Sequence, residues 1–185
     1  MSRLHADIAL LLAAAVWGLA FVFQKSAMSH IGPLTFIAAR GAVAALALAP
    51  LALREARQGV GKTAGGGGLG FLPVAIGGGV AFFAAAWLQQ GGLVTATVTN
   101  TGFLTALYVV LTPFIAWGWS GKRPVRMVWP AAVLSALGTW LLGGGTLSDF
   151  SRGDMLVAIS ALFWAAHVVI TGSAAPYRRP IGFTA

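Results

Sequence analysis

Long apolar stretches alternate with short polar or basic segments along the whole chain. Ile8 to Gln24, Thr63 to Gly121, Met127 to Ser148 and Met155 to Tyr177 contain no Asp, Glu, Lys or Arg. A helix needs ~20 mostly apolar residues to span a bilayer, so the longest stretch holds two spans, with Gly91-Gly92 as the break. We predict membrane-spanning helices at residues 8–28, 34–53, 71–92, 95–119, 127–144 and 154–173.

The predicted fourth helix carries a polar stripe. At ~100° per residue, its members fall within roughly an 80° arc. They are Thr97, Thr101, Thr105, Tyr108 and Thr112, with Asn100 at the edge. A helix facing lipid would not keep such a stripe, so we predict that it lines a polar cavity inside a helix bundle. The alternative is that the hydroxyls donate to the backbone of their own helix or join neighbouring helices.

Composition and charge agree with this pattern. The chain is 58% hydrophobic and 9% charged, which leaves too few charged residues to cover a soluble domain. The sequence predicts an all-α integral membrane protein of about six transmembrane helices. Most of its 12 basic residues fall in segments on one side, namely Arg3, Arg54, Arg57, Lys62, Lys122, Arg123, Arg126, Arg178 and Arg179.

The positive-inside rule places those basic segments, and with them the N-terminus, in the cytoplasm. We therefore expect a multi-pass protein of the cell membrane. Basic loops beside anionic lipid account for the net charge of +8, so the lipid bilayer is the expected partner and nucleic acid is not.

The sequence argues against catalysis and against a cofactor. It has no cysteine, which excludes disulfides, thiolate metal sites and thiol chemistry. Its four acidic residues lie near helix ends or in loops, and neither a nucleophile–base pair nor a metal-ligand spacing is visible. We predict no metal site, no cofactor and no enzymatic activity.

Two cations lie inside predicted spans. Lys25 shares a helix face with Trp17, Phe21 and Gln24, and it either reaches to water at the outer membrane surface or lines a cavity. Arg40 lies about six residues into the second span, roughly 9 Å below its start. Facing lipid there would be costly, so it either binds a substrate group or locks neighbouring helices together.

These cations would suit a carboxylate or another anionic group of a substrate, although Asp154, at the same outer face, is an alternative partner for one of them. In the sixth span Ser160, Trp164, His167 and Thr171 share one face. An intramembrane histidine either relays protons or forms one interhelical hydrogen bond. We predict that a substrate cavity is lined by Trp17, Phe21, Gln24, Lys25, Arg40, Trp87, Gln90, Asn100, Thr101, Thr105, Tyr108, Trp164 and His167.

The sixth span resembles the first. Asp7 precedes Trp17 by the same ten residues that separate Asp154 from Trp164. Since the two copies cross the membrane in opposite directions, this predicts an inverted repeat. We expect residues 1–145 to form a first five-helix unit and residues 146–185 to hold only the first helix of a second unit. The chain is therefore expected to be truncated at its C-terminus.

Several segments carry a family resemblance. Trp17-Gly18, Lys25 and Pro33-Leu34-Thr35-Phe36 resemble the opening of an EamA-type transporter, of the drug/metabolite transporter superfamily. Residues 99–113 resemble the family's fourth helix, and residues 153–165 resemble the start of its second repeat. The resemblance implies a ten-helix carrier of two inverted five-helix units, which moves small metabolites or drugs by alternating access.

Two functional hypotheses follow. The first is a secondary carrier for a small-molecule substrate. Its direction of transport is left open, and export is one alternative. The alternative is a non-transporting membrane fragment or scaffold that needs partner helices, supplied by a homodimer or by missing C-terminal helices.

Overall fold

The computed structural model describes residues 3–57, 70–121, 123–142, 150–177 and 180–184. The described residues form helices and short connections, without a strand. The helices are α1 (Arg3–Ala27), α2 (Pro33–Arg57), α3 (Phe71–Leu93), α4 (Val98–Ser120), α5 (Val128–Leu142), α6 (Arg152–Ala174) and the short α7 (Pro180–Thr184). A single 3₁₀ turn, Ala175–Tyr177, follows α6.

Five of these helices are long and apolar enough to cross a membrane, and part of α5 forms a shorter apolar helix. This confirms the prediction of an all-α membrane protein with about six helices. The predicted boundary between units at residues 145 and 146 lies outside the described residues, as do the last two residues of the predicted fifth span.

Two predicted helix starts are wrong. The first helix was predicted to begin at residue 8, next to Asp7, but α1 already begins at Arg3, and neither Gly nor Pro interrupts the residues before Asp7. Thr97 was expected within the fourth helix. It is instead the N-cap of α4, with an extended backbone, and its hydroxyl oxygen accepts a hydrogen bond from the backbone N–H of Asn100 at 3.0 Å. Such a cap satisfies one of the free N–H groups of the first turn.

The centre of the bundle is formed by α6, which packs most extensively against α3 and then against α4. Small buried side chains such as Ala85, Ala161 and Ala165 allow these backbones to approach closely. One close approach is between Gly92 and Gly153, where a Cβ on Gly92 would lie 2.5 Å from the Gly153 carbonyl oxygen.

The outer helices pack less tightly around this centre. The α1 helix makes few contacts with α3 and α4, and α5 contacts α4. The α2 helix contacts α3 and α7, and the carboxylate of Glu55 accepts hydrogen bonds from the backbone N–H groups of Ile181 and Gly182, at 3.4 and 2.6 Å. Glu55 thus fastens α7 to one end of α2.

Candidate functional site

A pair of glutamines joins α1 to α3 inside the bundle. Nε2 of Gln90 donates a hydrogen bond to Oε1 of Gln24, and the two side chains are 0% and 6% exposed. Oε1 of Gln90 has no hydrogen-bond partner in the structure. Since a buried amide oxygen without a partner is costly, this atom is a candidate acceptor for a ligand.

The neighbouring glutamine joins α3 to α4. Nε2 of Gln89 donates to the hydroxyl oxygen of Thr105 at 2.8 Å, and this hydroxyl in turn donates to the carbonyl oxygen of Thr101 at 2.6 Å. Thr101 and Thr105 are both buried. The structure thus places Thr101 and Thr105 of the polar stripe against a buried amide of α3.

Most hydroxyls of the stripe also bond within α4. Thr101 donates to the carbonyl oxygen of Thr97 at 2.8 Å, and Thr112 donates to that of Tyr108 at 2.6 Å. This is the backbone bonding that the sequence left open as an alternative. Tyr108 and Thr112 line a cavity of about 410 Å³ whose other walls are largely Val and Ala side chains of α4 and α5.

Aromatic rings form a continuous contact chain between α1, α3 and α6. Trp164 lies edge-on to Trp17, with ring centroids 6.3 Å apart, and edge-on to Phe82 at 5.3 Å. His167 continues the chain, 5.5 Å from Phe82 and 6.3 Å from Phe183. Nε1 of Trp164 is buried and has no hydrogen-bond partner, so its N–H is a candidate donor for a ligand.

Lys25 is held by backbone carbonyls. Its ammonium donates to the carbonyl oxygens of Leu93, Val94 and Ala96, at 2.7, 3.0 and 2.9 Å. These three bonds use all the donors of a lysine, and a cation at the C-terminus of α3 also stabilises the helix dipole. The structure therefore shows Lys25 as a clamp on the turn between α3 and α4.

Asp154 caps the N-terminus of α6. Its Oδ2 accepts from the backbone N–H and the hydroxyl of Ser151, at 2.8 and 2.7 Å, and the Ser151 hydroxyl accepts from the Asp154 N–H at 3.1 Å. This reciprocal pattern is a capping box. Within the described residues the carboxylate pairs with neither Lys25 nor Arg40. The Asn100 side chain approaches it, but Oδ1 remains without a hydrogen bond.

Arg40 and His167 lie on the walls of another cavity. It has a volume of about 880 Å³ and lies between α2, α3, α6 and α7. The Arg40 guanidinium lies 5.6 Å from the centre of the Phe36 ring on its own helix. Nδ1 of His167 is 2.9 Å from the carbonyl oxygen of Gly78, so His167 makes the single interhelical bond that the sequence offered as one alternative.

Two further residues of the predicted cavity, Phe21 and Trp87, have different surroundings. Phe21 is buried, on the same helix as Gln24. Trp87 is half-exposed and stacks on Phe83, with ring centroids 6.5 Å apart, so the structure does not show it at the glutamine pair. In all, the structure brings Gln24 and Gln90 together, brings Trp17 and Trp164 together, and separates Arg40 from both pairs.

Sequence reasoning left Phe82 and Gln89 out of the predicted site. A usable signal was present, because Gly78, Phe82, Ala85 and Gln89 recur at helical spacing and share one face of α3. Gly78 contacts His167, Phe82 contacts Trp164, and Gln89 bonds to α4. In the described part of the chain, no group of three or more His, Asp or Glu residues could hold a metal ion.

Comparisons with known proteins point to one family. The model of the EamA-like transporter family matches residues 4–144. A protein of Archaeoglobus fulgidus named "Uncharacterized transporter" is 33% identical over 175 residues, which cover 92% of this chain and 50% of that protein. The chain therefore spans about half the length of this relative. No solved structure shows a significant match.

Proposed function

Since the chain belongs to the EamA-like transporter family, we propose that it is part of a secondary carrier that moves a small organic solute across the cell membrane by alternating access. The proposal includes a cytoplasmic N-terminus, as the basic segments indicate. Export and uptake are both compatible with it, and the assay below measures each direction.

The proposed solute path runs past the two glutamines and the two tryptophans inside the bundle. The observation that carries it is that two buried polar atoms have no hydrogen-bond partner, an acceptor, Gln90 Oε1, and a donor, Trp164 Nε1–H. Buried polar groups without partners are rare in folded proteins, and a ligand is one way to satisfy them. Because neither group is charged, the path suits the uncharged polar part of a solute.

Lys25 is excluded from solute contact under this proposal. All three of its donors are bound to carbonyl oxygens at the end of α3, so a solute would have to displace backbone bonds to reach them. Its proposed role is to fix the turn between α3 and α4 at the outer end of the path.

The inverted repeat is proposed as the basis of alternating access. Its support is the contact between Trp17 and Trp164, which hold the same position in the two repeated segments. In this arrangement residues 1–145 form the first unit, and residues 146–185 begin the second.

The test is transport by the full-length gene product in proteoliposomes. Radiolabelled alanine, benzoate, choline and uridine represent zwitterionic, anionic, cationic and neutral solutes, and each is measured for uptake and for efflux. We expect saturable flux of at least one of them. Trp164→Phe keeps an aromatic ring but removes the N–H, so it should lower the apparent affinity by about fivefold, the usual value of one uncharged hydrogen bond.

Trp119→Phe is the matched control, because Trp119 is 59% exposed near the end of α4. It should transport like the wild type. Gln90→Leu, which removes the free acceptor together with the bond to Gln24, should reduce flux more than Trp164→Phe does. Wild-type affinity in both Trp164→Phe and Gln90→Leu would refute the proposed path, and absence of flux for every solute class would count against the carrier itself.

The scaffold alternative is separated by the same assay on residues 1–185. If this segment carries no solute by itself but regains flux when helices of the remaining part are co-expressed, it works as half of a carrier. If the full-length product also shows no flux, a structural role for the membrane helices is favoured instead.

A further inference from the structure

The cavity between α2, α3, α6 and α7 has the dimensions of a ligand site. Its volume of about 880 Å³ lies within the range of roughly 300–1,000 Å³ that is typical of small-molecule pockets. Most of its wall is apolar, with Ile37, Phe82 and Phe83 as the larger side chains. Phe83 is 50% exposed, so the cavity is not closed off from the surface of the bundle.

Arg40 supplies a charge that the described chain does not neutralise. It is the eighth residue of α2, roughly 10 Å from the helix start, and a guanidinium is always protonated. The guanidinium lies over the Phe36 ring of the same helix, and within the described residues it forms no ion pair. A cation at membrane depth without a carboxylate partner is costly, which favours a functional role.

The acidic residues of the described chain either accept hydrogen bonds from other groups or do not line the Arg40 cavity. Both oxygens of Glu55 accept backbone hydrogen bonds from α7, and Asp154 forms the capping box of α6. Asp7 lies near the opposite end of α1 from the Gln24 pair. Asp149 lies outside the described residues. The described carboxylates are thus not positioned to serve as the counter-ion of Arg40.

His167 contributes a polar ring to the cavity wall. A carbonyl oxygen can only accept, so the bond to Gly78 at 2.9 Å requires the proton on Nδ1 when the ring is neutral. Nε2 then carries the lone pair, 3.5 Å from the Thr171 hydroxyl oxygen, whose proton is also shared with the His167 carbonyl oxygen at 2.8 Å. The permanent charge of this cavity is that of Arg40.

We propose that this cavity binds an organic anion that joins a single carboxylate to an apolar body. The carboxylate pairs with the Arg40 guanidinium, which can donate two parallel hydrogen bonds to it. The apolar body lies against Phe82, Phe83 and Ile37. Such a ligand comes either from solution, as a small aryl or alkyl carboxylate, or from the bilayer, as a fatty acid.

This site is distinct from the proposed solute path. The cavity at Arg40 is lined by neither glutamine of the pair and by neither tryptophan. It adjoins them through Phe82 and His167, whose rings contact Trp164. The glutamine pair offers uncharged donors and acceptors, whereas Arg40 offers a full charge. Binding at Arg40 is therefore measurable without transport, and its failure would leave the transport proposal untouched.

The experiment measures equilibrium binding to the 185-residue chain in phosphatidylcholine nanodiscs. The probes are radiolabelled phenylacetate, its neutral analogue phenylacetamide, and oleate. We expect at least one of the two anions to bind, and phenylacetamide to bind at least tenfold more weakly than phenylacetate where phenylacetate binds. Binding of phenylacetate identifies a ligand from solution, whereas binding of oleate alone identifies a ligand from the bilayer.

Arg40→Gln should weaken binding of the anion by about 30-fold, the lower end of what loss of a partly buried charge partner costs. Arg54→Gln is the matched control, because Arg54 is an exposed cation on the same helix, and it should bind like the wild type. Equal affinity of Arg40→Gln and the wild type, equal affinity for phenylacetate and phenylacetamide, or no binding of either anion would overturn the proposal.

A second variant tests the location without touching the charge. Gly79 lines the cavity, and a Cβ at this position would have no atom within 4 Å. Gly79→Leu should therefore fill part of the cavity without a backbone clash and reduce anion affinity. Gly18→Leu is the control, since Gly18 has equally open space on α1 but does not line the cavity. Undiminished binding by Gly79→Leu would place the anion elsewhere and refute the proposed site.

Discussion

Adjacent glycines near the end of α3 differ sharply in the space around them. A Cβ on Gly92 would lie 2.5 Å from the carbonyl oxygen of Gly153, 2.6 Å from Cγ2 of Val157 and 3.1 Å from the Val157 nitrogen. Two of these atoms belong to the backbone of α6, which cannot rotate away. A Cβ on Gly91 would meet only Cδ1 of Leu156, at an ordinary 3.9 Å.

The expected effects follow from these distances. Adding a methyl group to a fully packed contact costs ~1–3 kcal/mol, and the backbone obstacles place Gly92→Ala near the upper value. Replacing glycine by alanine in a helix gains up to ~1 kcal/mol, and Gly91→Ala keeps this gain because its new methyl group fits. The gain in helix propensity is common to both variants and cancels, so their free energies of unfolding should differ by the overpacking cost, about 1–3 kcal/mol and near the upper value, with Gly92→Ala the less stable.

The assay is unfolding of each variant in mixed micelles of mild detergent and increasing sodium dodecyl sulfate, followed by far-ultraviolet circular dichroism. Gly91→Ala serves as the internal control, because it makes the same chemical change one residue away. If Gly92→Ala unfolds at the same or a higher dodecyl sulfate fraction than Gly91→Ala, α3 and α6 do not meet at this point as closely as the structure shows.

The remaining predictions concern two hydrogen-bonded groups and use the same unfolding assay. Lys25→Met should lower the free energy of unfolding by about 3 kcal/mol, since it removes charged donors from two part-buried carbonyls. Arg152→Gln, at an exposed cation in the first turn of α6, should change little. Equal stability of both variants would contradict the clamp. Thr105→Val should cost ~1–3 kcal/mol, because Gln89 loses a buried acceptor, whereas Thr112→Val removes only a bond within α4 and should be nearly neutral. A Thr112→Val variant as unstable as Thr105→Val would contradict this distinction.

The positions of the spanning helices were predictable because hydrophobic length is a local property. The break after the third helix was placed at Gly91-Gly92, and α3 extends one residue further, to Leu93. What holds its last carbonyls is Lys25, a residue 68 positions away in the chain. A lysine near a membrane surface usually has water to face, so no local pattern indicated this partner.

The polar stripe shows where periodicity stops being informative. Spacing correctly puts Thr101 and Thr105 on one side of α4, and both are buried. Spacing does not say whether a hydroxyl faces a cavity, another helix or its own backbone. The Thr105 hydroxyl contacts both another helix and its own backbone, because it accepts a hydrogen bond from Gln89 and donates one to the carbonyl oxygen of Thr101. The partners depend on how α3 packs, which the stripe alone does not encode.

The two repeated segments have unequal surroundings. Trp164 is 9% exposed, because α6 packs extensively against both α3 and α4, whereas Trp17 is 46% exposed, because α1 makes few contacts with those helices. The aspartates differ as well: Asp154 caps α6, and Asp7 lies within α1. Under the proposed inverted repeat, α1 would pack against the counterparts of α3 and α4 in the second unit, just as α6 packs against α3 and α4 of the first unit. The exposed face of Trp17 would then be covered within a complete carrier, and the two tryptophans would share the centre of the solute path.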